Sequence, residues 1–106
     1  MPKYMFHGAY TAAGAAGLLK EGGSARAAAV KQVAASLGGT VESIYWAFGK
    51  DDFYIVVDLP DAHAAAALSL AVGASGAVRT TTAELLTAAQ VDDVVRRTVN
   101  YRPPGA

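Results

Sequence analysis

Apolar positions along this chain switch between the two-residue period of a strand and the three-and-four spacing of a helix. Residues 3–10, KYMFHGAY, alternate, with Tyr4, Phe6 and Tyr10 on one side and Met5, His7 and Ala9 on the other. Thr11 then stands as N-cap of a helix that opens AAGAAGLLKE, and Gly22-Gly23 should break or kink it. Ser24 is placed to cap a second helix, Ala25–Leu37, whose Val30, Val33, Ala34 and Leu37 form an apolar stripe; Gly38-Gly39 is its stop. Next, two runs rich in β-branched and aromatic residues, Val41–Phe48 and Phe53–Leu59, flank Gly49-Lys50-Asp51-Asp52. That pattern predicts a β-hairpin. Pro60 closes the second strand, and Asp61 caps a helix from Ala62 to about Val72 built almost wholly of alanine and leucine. Gly73 and Gly76 bracket the turn into a last strand, Ala77–Leu86, which its threonine run favours. Thr87 or Thr82 can cap a final helix over Gln90–Val99, striped by Val91, Val94 and Val95. The tail, 100–106, carries Pro103-Pro104 and is expected to be irregular.

The order strand, helix, strand, strand, helix, strand, with a tight hairpin in the middle, points to a ferredoxin-like βαββαβ fold of the α+β class. It has a four-stranded antiparallel sheet, the helices on one face, and an extra C-terminal helix. Residues 1–99 are expected to form one domain, since 106 residues suffice for one independent core. The other face of the sheet is left bare. Both registers of the hairpin carry large apolar groups, Val41, Tyr45, Phe53, Ile55 and Val57 in some positions and Ile44, Trp46, Phe48, Tyr54 and Val56 in the alternates. A bare face of that kind exceeds what monomers usually expose, so a second copy of the chain is the expected cover, most simply in a two-fold dimer.

Charge narrows the choice of partner. Nine basic residues balance nine acidic ones, and the only basic concentration is Arg96-Arg97 with Arg102. This disfavours nucleic acid, which is read by a basic stripe. No segment has the apolar length of a membrane span or of a signal peptide, and there is no cysteine, so the expected location is cytoplasmic, without disulfides or thiolate metal ligands. The alanine-rich helices carry no basic amphipathic face for a membrane surface. No cofactor is expected, since the short glycine spacings Gly14–Gly17 and Gly73–Gly76 lack the lysine and hydroxyl of a phosphate loop. No metal site is expected either, since no histidine pair has ligand spacing.

Three segments taken together, MPKYMFHGAYTAAG, LGGTVESIYWAFGKDDFYIVVDLPD and AALSLAVGASGAVRTTTAEL, resemble the GYD-domain family of small bacterial and archaeal proteins. The resemblance covers about residues 1–95 and implies a dimeric α+β barrel of ferredoxin-like protomers. The family takes its name from Gly-Tyr-Asp in the hairpin, commonly spaced as Gly, any residue, Tyr, Asp. Gly49, Asp51 and Asp52 occupy those positions here, so an aspartate replaces the tyrosine. The resemblance implies no general activity.

Candidate chemistry is sparse, and each candidate has a plainer structural reading. His7, mid-strand, is a candidate general base, or simply an interface histidine bonded to a neighbour. Asp58, at the end of an apolar strand, and Tyr54 are candidates to converge on it, Asp58 as orienter and Tyr54 as hydrogen-bond donor. The plainer reading of Asp58 is a carboxylate solvated at its strand end or helping the following turn. Tyr45 and Trp46 are candidates to stack a flat ligand, and otherwise belong to core or interface. Arg79 is a candidate anion holder or the partner of an acid such as Asp58 or Glu84. In the turn, Asp52 is expected to bond turn amides and Gly49 to take a backbone angle other residues resist. The leading functional expectation is a homo-oligomeric binding or assembly protein whose cavity takes a small apolar or aromatic molecule. The alternative is a cofactor-independent enzyme of the dimeric barrel kind, a monooxygenase, isomerase or cyclase. The two differ in whether His7, Asp58 and Tyr54 share one enclosed pocket.

Overall fold

In the computed structural model, which describes residues 1–106, the elements run β1 (Lys3–Tyr10), α1 (Ala12–Glu21), α2 (Gly23–Ser36), β2 (Thr40–Trp46), β3 (Phe53–Asp58), α3 (Ala62–Ala74), β4 (Val78–Leu85) and α4 (Ala88–Val95). The strands form one sheet in the order β2-β3-β1-β4, antiparallel at every pairing. This is the arrangement expected of a ferredoxin-like α+β fold.

Local chemistry explains where the elements start and stop. The Thr11 side chain accepts the Gly14 N–H at the start of α1, and that of Asp61 accepts the Ala64 N–H at the start of α3. Thr87 and Gln90 form a full capping box at the start of α4. The break between α1 and α2 falls at Gly22, whose φ of 83° lies where a side chain is disfavoured. Ser24 does not cap α2: the helix begins one residue before it, with Gly22 at the cap position and no side-chain bond.

Alternation along β1 is regular. Tyr4, Phe6 and Gly8 are buried on the helix side, while Met5, His7 and Ala9 lie on the open side. Along β2 it is not, because a bulge between Val41 and Ser43 lets Val41, Ile44 and Trp46 share the helix side. Tyr45 then falls on the open side, paired with Tyr54. A period-two reading of the hairpin therefore misassigns Val41 and Tyr45 to one face.

The core is thin. Tyr4, Phe6, Val57 and Leu59 of the sheet side pack with Ala34 of α2 and Ala65 of α3, and only 9 of 106 residues are buried. Alanine helices can approach the sheet but fill little of the space between. The accessible surface is 7168 Å², against about 5,500 Å² for a folded monomer of this mass. The radius of gyration is 16.7 Å, against about 13 Å for a compact chain of this length. Much of the excess comes from α4 and the tail, where no residue is buried and Val91, Val94, Val95, Val99 and Tyr101 all stand exposed.

At one edge of the open face Lys3 bonds Asp58 at 2.9 Å and Glu42 at 3.1 Å. These bonds, that to Asp58 foremost, raise the Lys3 pKa above its ordinary value. Burial likewise raises the phenol of Tyr4. A raised folded-state pKa stabilises the fold below the unfolded value, and that stabilisation is lost as pH climbs through the folded one. The contribution of these two groups should accordingly be lost above about pH 10, with Tyr4→Phe flattening part of that fall in urea titrations read by circular dichroism. Gly14→Ala tests the packing of α1. Helix propensity alone favours alanine by about 1 kcal/mol, but an added Cβ would lie 1.9 Å from the Ala77 carbonyl oxygen. The same titrations should show a net loss of about 2 kcal/mol.

Candidate functional site

The site grows from the hairpin tip. Between β2 and β3 the chain turns through Ala47–Asp52, and the residue with left-handed backbone is Phe48, at φ 50°, not Gly49. Phe48 is held there with its ring 66% exposed. A bulky residue in that region is strained, and such strain gathers where a loop serves a purpose beyond turning.

The two acids that end the loop bond in different directions. The Asp52 carboxylate accepts the backbone N–H of Tyr10 at 3.0 Å, while its own N–H donates to the Gly8 carbonyl at 2.6 Å. Asp52 therefore ties the loop to the end of β1 through its carboxylate and N–H, while its backbone carbonyl accepts the Ala47 N–H across the turn at 3.1 Å. The Asp51 carboxylate bonds His7 Nδ1 at 2.8 Å, with both side chains about three-quarters buried. The His7 ring also stacks on Tyr54, centroids 6.1 Å apart and planes 10° from parallel.

Tyr10, on the helix side, is held at three points. Asp52 takes its N–H, Phe53 packs against its ring at 5.4 Å, and Trp46 Nε1 donates to its hydroxyl at 2.9 Å. It forms part of the wall of a cavity of about 510 Å³ between the sheet and helices α1, α2 and α3. Seventeen of the 22 residues around that space are hydrophobic, among them Phe6, Val30, Ile44, Phe53 and Leu68. The charged ones are Glu21 and Arg26, which face each other across 3.5 Å. A second, shallower hollow of about 430 Å³ lies beside it against Trp46 and Phe48, and Tyr10 and Leu18 line both.

Of the residues singled out in the sequence, His7 and Tyr54 come together and Asp58 stays apart. Asp58 pairs with Lys3, four residues along β3 from Tyr54, a separation of roughly 13 Å in a strand. The orienting carboxylate at His7 is that of Asp51. Tyr45 and Trp46 lie on opposite faces of the sheet, so they cannot stack one ligand together. Arg79 is exposed on β4 and forms no ion pair with Asp58 or Glu84. No three His, Asp or Glu side chains gather closely enough to hold a metal ion. Sequence reasoning expected a cavity but did not find its place under the sheet or Tyr10 on its wall. The available signal was a hydroxyl on the apolar side of β1 facing helices too rich in alanine and glycine to fill the space.

Asp52→Ala should lower stability by about 2 kcal/mol, the scale of a lost charge-assisted hydrogen bond, whereas Asp51→Asn should cost less because the amide still bonds His7. Chemical denaturation of the two variants side by side checks the difference.

Among curated proteins and among solved structures, none matches the chain. No helix is long and apolar enough to cross a membrane. The sequence model of the GYD domain matches residues 4–95, which span β1 from its second residue, the other three strands, and helices α1 to α4. With that match and the four-stranded antiparallel sheet described above, the chain belongs to the GYD domain family.

Proposed function

We propose that this protein is a homo-oligomeric binding module whose cavity takes a small apolar or aromatic molecule. The observation that carries the reading is the apolar space of about 510 Å³ under the sheet, within the range of ligand pockets and too large to be a packing flaw. Phe48, exposed and with left-handed backbone beside the adjoining hollow, supports an entrance at the hairpin tip. Self-association is supported by the open face, with Met5, Val56, Tyr54 and Tyr45 on it, and by the apolar stripe of α4. At about 25 cal/mol per Å², covering some hundreds of Å² of such surface offsets a sizeable part of the cost of association.

The enzyme alternative has His7 as base, oriented by Asp51 beside Tyr54. It draws less support, because these groups stand on the open face while the cavity lies behind the sheet. A substrate in the cavity would not meet them.

Native mass spectrometry of the protein purified without added ligand tests both parts of the proposal. The expected result is a dimer or larger ring that retains, or takes up, an apolar molecule of a few hundred daltons. Val30→Trp, which places a large ring in the cavity, should lower uptake at least ten-fold with the assembly unchanged. Val56→Lys on the open face should instead shift the assembly toward monomer. A wild-type monomer, or uptake indifferent to Val30→Trp, would contradict the proposal.

A further inference from the structure

Resting on the reading of the cavity as a binding site, we infer the class of its ligand: an uncharged molecule with a flat apolar body and one acceptor oxygen, such as an aromatic ketone or quinone, hydrogen-bonded by the Tyr10 hydroxyl. The inference follows from what the polar atoms on the wall still have to give. Tyr10 Oη accepts from Trp46 Nε1, so one lone pair is occupied and the hydroxyl proton is turned away from the indole. No group of the protein accepts that proton. The ring cannot swing to find an acceptor, because Phe53 packs on it and Gly14 of α1 comes close enough that an added Cβ would sit 3.2 Å from Tyr10 Cδ1. The result is a fixed donor on a mostly apolar wall, at a residue that lines both hollows.

The remaining polar side chains argue against an anion. Ser75 spends its hydroxyl proton on the Val72 carbonyl at 2.6 Å. Arg26 is faced by Glu21, so the two charges on the wall balance and a ligand carboxylate would meet as much repulsion as attraction. Seventeen hydrophobic neighbours out of 22 offer no further partner for a charge. An acceptor without charge satisfies the one open donor and leaves nothing unpaired.

Three probes of one shape separate the possibilities: naphthalene, its methyl ketone 2-acetonaphthone, and the anion 2-naphthoate. Each is titrated into the full-length wild type and into Tyr10→Phe by equilibrium dialysis. The ratio of ketone to naphthalene affinity should be about three- to ten-fold higher in wild type than in Tyr10→Phe, the scale of one hydrogen bond, with naphthalene itself unaffected. The carbonyl stretching band of the ketone bound to wild type should lie below its position in hexane. This second readout stands even if Tyr10→Phe fails to fold. An unchanged ratio, or an unshifted carbonyl band, overturns the inference while naphthalene binding upholds the cavity. Preference for 2-naphthoate, lost in Arg26→Gln, overturns it in favour of an anionic ligand. Failure of all three probes to bind overturns the cavity reading, and this inference with it.

Discussion

The bond from the Tyr10 amide to the Asp52 carboxylate is the constraint on which the rest of the site depends. β1 pairs with β4 as far as Tyr10, but its pairing with β3 ends at Gly8 opposite Phe53. Beyond Gly8 the side of β1 that faces β3 has no strand to bond. Asp52 supplies the missing partners, its N–H to the Gly8 carbonyl and its carboxylate to the Tyr10 N–H. A side chain thus extends the ladder by one step past the last residue of the neighbouring strand. Without it the end of the central strand would be free to fray, and with it the phenol that borders the cavity.

The neighbouring Asp51 reaches His7 on the open face. One loop therefore organises both sides of the sheet through two consecutive acids. Asp52 holds backbone on one side, and Asp51 holds a side chain on the other.

The order of elements was legible in the sequence because caps and breakers mark it: Thr11, Asp61 and Thr87 accept the amides expected of them, and Gly22 divides α1 from α2. The matching of strands to faces was legible on β1 and not on β2. The bulge at Val41/Ser43 changes the phase of the alternation, and no single residue there announces it. The site was less legible still. Asp58, on the same alternation as Tyr54, looked able to approach His7, but alternation gives the face and not the distance along it. Lys3, directly across from Asp58, takes that carboxylate. Asp51 was visible as an acid in a turn. Which strand it would reach depended on how the loop folds back over β1, a long-range matter that spacing does not encode.

The alanines of α2 and α3 bear on how the chamber can be altered. Ala34 and Ala65 touch the sheet and fix its separation from the helices, while other small residues, Ala13, Gly17 and Ala71, merely border the empty space. Spacing and emptiness are therefore written at largely different positions, with Ala34 serving both. Exchanging a bordering alanine for serine, valine or leucine resizes or repolarises the chamber in small steps and leaves the layer separation alone. The size and polarity of the space can therefore change by single substitutions while the contacts that hold sheet and helices apart stay in place.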